Sequence, residues 1–202
     1  MKHDEKIGLT FQLERVPTPC GPMLLATDEE GILCALDWDN DDERMRRLLG
    51  QYYRENNIRL AVGRSESIGR RSLEAYVAGD LHAIDALPVR MRGTPFQREV
   101  WEALRGIPAA TTMSYGALAA QLNRPSGMRA VGLANGSNPI AVVVPCHRVI
   151  GADGSLTGYG GGLERKRWLL EHEGVDLSGL KRAPRAKPPG DQFRLGFAPA
   201  AE

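Results

Sequence analysis

Residues 114–136 read SYGALAAQLNRPSGMRAVGLANG, and the fold turns on how they are read. Ser114 is a residue type that caps helix starts, and Tyr115 to Leu122 then runs without a breaker as far as Asn123-Arg-Pro125. Ser126 is expected to cap a second short helix, from Gly127 to about Asn135, which Gly136 closes. Two short helices joined by a tight turn predict a helix-turn-helix, whose second member is the one that enters a groove of nucleic acid. Arg129 stands near the start of that second helix, where side chains reach furthest. Helix pairs of this kind also occur in proteins that never touch nucleic acid, so the pattern by itself leaves binding open.

Downstream, the apolar run Ile140-Ala-Val-Val-Val144 predicts a buried strand, and Pro145-Cys-His-Arg-Val149 follows it directly. A cysteine kept for packing has no need of a histidine and an arginine beside it. A thiol is a strong nucleophile only as thiolate, so a reactive Cys146 needs a proton acceptor and a field that favours the anion. Adjacent side chains on an extended segment point opposite ways, which favours relay from Cys146 to His147 through a water over direct contact. Further on come a turn at Gly151-Ala-Asp-Gly154, the loop Thr157-Gly-Tyr-Gly-Gly-Gly162, and a helix from Leu163 to Glu173 stopped by Gly174. His172 and Glu173 close that helix, and a carboxylate there would suit the third member of a triad. The plain alternative is that Cys146 is a small buried hydrophobe.

Upstream, Thr94-Pro95 predicts a capped helix through Val100, Trp101 and Leu104 to a stop at Gly106 and Pro108. Before it, Pro88 to Gly93 reads as a connection. The N-terminal part alternates as a β-meander over Leu9–Leu13, Met23–Ala26 and Ile32–Leu36, with a hairpin turn at Asp28–Gly31. One helix carrying Met45, Leu48, Leu49 and Tyr52, and another carrying Leu73, Tyr76 and Val77, follow it. His82 reads as a surface or packing residue.

The 202 residues divide into an N-terminal α/β domain at 1–91, a C-terminal domain at 92–176 and a Pro-rich basic tail at 177–202. Net charge is +1, but basic residues number 12 against 16 acidic in 1–91, 9 against 7 in 92–176 and 5 against 2 in the tail, so positive charge gathers late in the chain. No window approaches the roughly 18 consecutive apolar residues of a membrane span, and no signal-peptide core follows Met1–Lys6. The expectation is a soluble cytoplasmic protein with no membrane partner. Cys20, Cys34 and Cys146 are odd in number and lack zinc spacing, which argues against a disulfide scaffold and a structural metal.

Pro145-Cys-His-Arg-Val149 resembles the active-site signature of the O6-alkylguanine-DNA alkyltransferases, the methylated-DNA–protein-cysteine methyltransferases. So, in that family's order, do Gly93–Trp101, Ser114–Leu118, Arg129–Gly132, Ala134–Pro139, Gly158–Gly162 and Trp168–Gly174. The resemblance covers about 93–175 and is nearest the bacterial stand-alone form. It implies an α+β protein with a ribonuclease H-like N-terminal domain of small β-sheet plus helices, and a mostly helical, winged helix-turn-helix-like alkyltransferase domain.

It further implies irreversible, stoichiometric transfer of an alkyl group from O6 of guanine to Cys146, after the base is flipped through the minor groove of double-stranded DNA. On this resemblance Cys146 is the nucleophile, His147 its base through water, and Glu173 the holder of His147. Asn138 braces the turn before the active site, Arg129 fills the space of the flipped base, and Tyr115 presses on its 3′ phosphate. Met128 and Gln97 join the DNA contacts, and Met128 stands where the family usually has a small residue. The carbonyls of Cys146 and Val149, with Tyr159 and Gly160, form the alkylguanine pocket. Gly160 stands where some members have serine, so the pocket is expected to be roomier. No cofactor is implied, and Asp28, where human-type members have a zinc cysteine, argues against zinc. Transfer from O4 of thymine is left open. Gln192-Phe-Arg-Leu-Gly-Phe197, outside the resemblance, looks like the peptides that bacterial polymerases dock on the sliding clamp. Two other readings stand beside these: a non-catalytic helix-turn-helix regulator, and a cysteine hydrolase.

Overall fold

The computed structural model describes residues 8–39, 42–53, 58–63 and 66–179. Strands β1 (Leu9–Val16), β2 (Met23–Thr27) and β3 (Leu33–Trp38) form the expected meander, paired antiparallel with Leu13 opposite Ala26 and Leu25 opposite Leu36. The chain then crosses through α1 (Asp42–Tyr53) and returns as β4 (Ile58–Val62), parallel to β1 with Leu60 opposite Phe11. The sheet is therefore mixed, in the order β3-β2-β1-β4. Strand β4 is not among the expected elements, because Ile58-Arg-Leu-Ala-Val62 is too short to declare its period.

Every residue of β2 and β3 is buried, since both faces of the sheet are covered. Phe11, Leu24, Ala26 and Cys34 pack on Met45 and Leu49 of α1. Met23, Leu25, Leu36 and Trp38 face the other way, onto Leu73 and Tyr76 of α2 (Ile68–Val77) and onto the C-terminal half. That second cluster continues without a break through Trp101, Val131, Val144 and Leu169, so the two halves of the chain share one core. Burying each of these large side chains is worth about 1.5–3 kcal/mol.

The segment read as a plain connection is in fact stitched to the sheet. Leu33 N–H donates to Pro88 and Arg90 N–H to Leu33, extending the sheet at the edge of β3. Arg90 then pairs with Asp28 at 2.8 Å, and Asp28 also accepts the backbone N–H groups of Glu30 and Ile32 in the hairpin turn.

Helix α3 (Pro95–Arg105) opens on Thr94 in a full capping box, with Gln97 returning a bond to the Thr94 N–H. Helix α4 (Tyr115–Gln121) is capped by Ser114, which also ends the two-residue strand β5 (Met113–Ser114). Helix α5 (Met128–Gly136) does not begin as expected: Pro125–Gly127 is a turn of 3₁₀ helix, and neither Ser126 nor any other side chain caps α5. Proline at the first position holds that turn, and the hydroxyl of Ser126 is left at the surface. Trp101 of α3 donates its indole N–H to Ala134 of α5 at 2.9 Å, which sets the two helices against each other.

The apolar run before the cysteine is buried but is not a strand. Ile140 pairs with Leu36 on the edge of β3, then Val143 N–H bonds Ala141 at 2.8 Å around Val142, whose φ is +70°. A β-branched residue in the left-handed region is costly, and here it is held by enclosure on all sides. An apolar run without period reports burial, and this one is buried because it turns inside the core. Strand β6 (Val149–Ile150) pairs with β5, and α6 (Leu163–His172) ends at Gly174, whose φ of +84° and bonds to Glu171 and from Val175 to Leu170 close the helix. Among the described residues no helix is long and apolar enough to cross a membrane.

Candidate active site

Pro145 has φ −81° and ψ 62°, the geometry of an inverse γ-turn, and Cys146 N–H closes it on Val144. Cys146–Arg148 is then one turn of 3₁₀ helix, not the extended segment expected, but its side chains still diverge. Cys146 lines a cavity of about 380 Å³. His147 and Arg148 turn instead into the buried interior behind it.

The cavity sits where three elements and one loop meet. Gly132 of α5 and Tyr115 of α4 form one wall, the glycine loop with Tyr159 and Gly160 another, and Asp37 at the end of β3 a third. Tyr115 and the α5 backbone lie close: a Cβ at Gly132 would be 3.9 Å from the Tyr115 ring. Asn138 spans the turn that precedes Cys146, donating to Val144 at 2.8 Å and accepting from Ile140 N–H at 2.9 Å. These two bonds tie the ends of that turn together.

Behind the thiol, Glu173 collects four donors. Oε1 accepts from His147 Nε2 at 2.9 Å, from Arg148 at 2.8 Å and from the Tyr76 hydroxyl at 2.8 Å, while Oε2 accepts from Arg148 Nε at 2.9 Å. Burial pushes this carboxyl up, but the bonds and charges of His147 and Arg148 outweigh it and hold it down at about 2. A carboxylate at a helix C-terminus faces the negative end of the dipole, and Arg148 answers that as well. His172, the histidine next to Glu173 in sequence, turns away from it: it bonds the Tyr76 carbonyl at 2.7 Å and stacks on Trp168.

An ionised Glu173 can only accept, so His147 donates through Nε2 and keeps its lone pair on Nδ1. Burial lowers the His147 pKa in spite of Glu173, which leaves the imidazole neutral at pH 7. Among the described residues, nothing bonds Nδ1. The site thus holds a neutral base with its tautomer set. Burial raises the Cys146 thiol, with Asn138 and Lys166 pulling against it and Asp37 adding to the rise. The resting cysteine is a protonated thiol.

Lys166, unnoticed in the sequence, is fully buried on α6 and donates to Val149 O at 2.5 Å and Thr157 O at 2.8 Å. Burial brings it down to about 8. It ties the glycine loop to the Cys146 turn. The carbonyl of Cys146 accepts from Val149 N–H and that of Val149 from Lys166, so each carbonyl expected to meet a ligand is already held by a donor of the protein. Nothing local in Arg165-Lys-Arg167 distinguishes the middle residue. In the sequence Tyr76 reads only as one of a helix's apolar residues, Trp38 between Asp37 and Asp39 draws no notice, and Arg148 has no assigned chemistry.

Arg129 and Met128 lie outside the cavity, exposed at the start of α5, with Leu133 exposed one turn on. Gln97 is on a different helix, and its amide is engaged within the protein, with Thr94 N–H and with Ser137 Oγ at 3.0 Å. One N–H of that amide is left over.

Residues 95–175 match the family model described as 6-O-methylguanine DNA methyltransferase, DNA binding domain. The chain is 51% identical over 164 residues to a methylated-DNA–protein-cysteine methyltransferase of Salmonella typhimurium, which covers 81% of this chain and 96% of that relative. The crystal structure of the O6-methylguanine methyltransferase of Mycobacterium tuberculosis aligns with a TM-score of 0.65 at 41% identity, covering 81% of this chain and 92% of that one. An M. tuberculosis structure solved in complex with DNA aligns at 40% identity with a TM-score of 0.65, covering 82% and 92%.

Proposed function

The chain belongs to the 6-O-methylguanine DNA methyltransferase family, and from that premise we propose that it repairs DNA by direct reversal, moving the alkyl group of an O6-alkylguanine onto Cys146. The observation that carries this is a cavity-lining thiol backed by a neutral histidine whose tautomer Glu173 sets.

The duplex meets the exposed end of α5 from its minor-groove side, Arg129 takes the place of the flipped base, and Tyr115 presses on the 3′ phosphate. Met128 lies against the groove floor, and the spare N–H of Gln97 is offered to a phosphate. The extruded guanine enters beside Gly160, its exocyclic amine between the carbonyls of Cys146 and Val149 and the Tyr159 hydroxyl donating to its ring. The thiol proton passes through a water to His147 Nδ1, the sulfur attacks the alkyl carbon in line, and the carbon–O6 bond breaks. A proton reaches the departing guanine, which leaves neutral. One alkyl has been exchanged for one proton, and no cofactor is involved. The thioether product has no base to reverse it, so each molecule acts once.

The same reading takes 1–91 as a ribonuclease H-like domain and 92–176 as a winged helix-turn-helix-like domain. The parallel return of β4 beside a meander and the α4–α5 pair support it. Cytoplasmic residence belongs to the same proposal. The sliding-clamp peptide at Gln192–Phe197 lies outside the described residues. A clamp pull-down unchanged by deleting 190–202 would end it.

Intact-mass spectrometry after incubation with an O6-methylguanine duplex tests the whole. One methyl gained per protein, absent in Cys146→Ser, is expected. A folded, DNA-bound protein that gains no mass overturns it, and turnover of a substrate would favour a hydrolase.

A further inference from the structure

Tyr159 is the group that donates to the departing base in the reading above, and a phenol hydroxyl can equally accept. What decides its direction comes from the other half of the chain. The indole Nε1 of Trp38, at the end of β3, lies 3.1 Å from the Tyr159 oxygen across 121 positions of sequence. An indole N–H can only donate, so the Tyr159 oxygen must accept there, and its own hydrogen has to point elsewhere. Among the described residues that hydrogen meets no acceptor, and Tyr159 lines the cavity that also holds Cys146.

The contact is built in. Trp38 is 2% exposed, and a Cβ on Gly161 would fall 2.3 Å from the indole Cδ1 and Nε1, so only glycine lets the loop approach this closely. On its face, Trp38 carries the guanidinium of Arg165, 4.6 Å from the ring centroid, which is itself held by the Cys20 carbonyl at 3.2 Å. A cation over an indole draws electron density from it and makes the N–H a stronger donor. Donation into the phenol oxygen in turn polarises its O–H, since hydrogen bonds in a chain reinforce one another.

We propose that Trp38 is a positioning residue for the transfer reaction: it locks the Tyr159 hydroxyl as a donor aimed into the cavity, ready for the ring of the departing guanine. The inference rests on the reading that Tyr159 donates to that base. Burial drives the Tyr159 phenol well above its ordinary range, and the indole bond opposes this. A phenol so placed serves as hydrogen-bond donor to the base as negative charge builds on it.

The test is a cycle of Trp38→Phe, Tyr159→Phe and the double variant, reading the single-turnover rate of thioether formation with O6-benzylguanine. Trp38→Phe is expected to slow transfer about tenfold in the wild-type background and less than about twofold in Tyr159→Phe, because it acts through that hydroxyl. Alkylation of Cys146 by iodoacetamide, whose iodide leaves without a proton, should be unchanged. Replacing Trp38 with its benzothiophene analogue, which keeps the shape and loses the N–H, should reproduce the loss and guards against misfolding. An equal loss in both backgrounds, an equal loss with iodoacetamide, or no loss with the benzothiophene analogue would overturn the proposal. A folded wild-type protein that never takes the benzyl group defeats the parent reading instead.

Discussion

Tyr76 of α2 donates its hydroxyl to Glu173 Oε1 at 2.8 Å, joining the N-terminal half of the chain to the carboxylate that orients the candidate base. Tyr76→Phe removes one of four donors and should cost about 1–2 kcal/mol of stability in urea unfolding. Glu173 has its pKa depressed from 4.5 to about 2, so its contribution is fully present above about pH 5 and disappears as pH falls towards 2. The contribution is roughly 3 kcal/mol. Unfolding free energies measured from pH 7 to pH 2 should show this slope, reduced in Glu173→Gln. A slope unaltered in that variant would contradict the assignment.

Arg148 spends both Nε and one terminal nitrogen on Glu173 and another on the Ile107 carbonyl, all within the interior. Arg148→Met strands a buried charge shared with His147, and a loss of about 3–5 kcal/mol is expected. Arg148→Lys should rescue little, because an ammonium cannot bridge both carboxylate oxygens in the fork geometry. Thermal melting of the two variants side by side checks this.

Asp37 faces the thiol from β3, and its charge adds to the effect of burial in keeping Cys146 protonated. Asp37→Asn should therefore lower the thiol pKa. The pH profile of iodoacetamide alkylation should move to lower pH, while Asp37→Glu should leave it near the wild-type position. A profile that stays put in Asp37→Asn removes Asp37 from the electrostatics of the site.

Arg129 stands exposed at the start of α5, outside the cavity. If its task is to occupy the gap left by an extruded base, Arg129→Ala should slow transfer from duplex DNA by at least about tenfold and transfer from free O6-benzylguanine by less than about twofold. Equal losses on both substrates would mean that it works on the cavity and not on extrusion.

Much of the local structure was legible because its signals are local. Ser114 and Thr94 cap the helices they were expected to cap, Gly174 ends α6, and the meander pairs as read. The misreadings also have local causes. Ser126 had the right residue type but sits inside a proline-led 3₁₀ turn, and Ile140–Val144 had strand composition with no period to show that it turns at Val142. The resemblance named His147 and Glu173 as partners, and the two meet at 2.9 Å. His172, offered by chain order beside Glu173, stays out of the group because a residue next to Glu173 on a helix projects in another direction.

By itself, the order of residues determined where the helices fall, the caps at Thr94 and Ser114, the meander and the motif around Cys146, because these depend on neighbours a few positions apart. Only the tertiary structure decided who stands behind the motif. Glu173 satisfies His147, Arg148 and Tyr76 at once, Lys166 binds two carbonyls, and Trp38 meets Tyr159. A buried polar group must find its partner wherever folding brings one, and nothing in its immediate sequence says which distant side chain that will be. That need explains Arg148, which had no chemistry in the sequence and turns out to hold the carboxylate that holds the histidine.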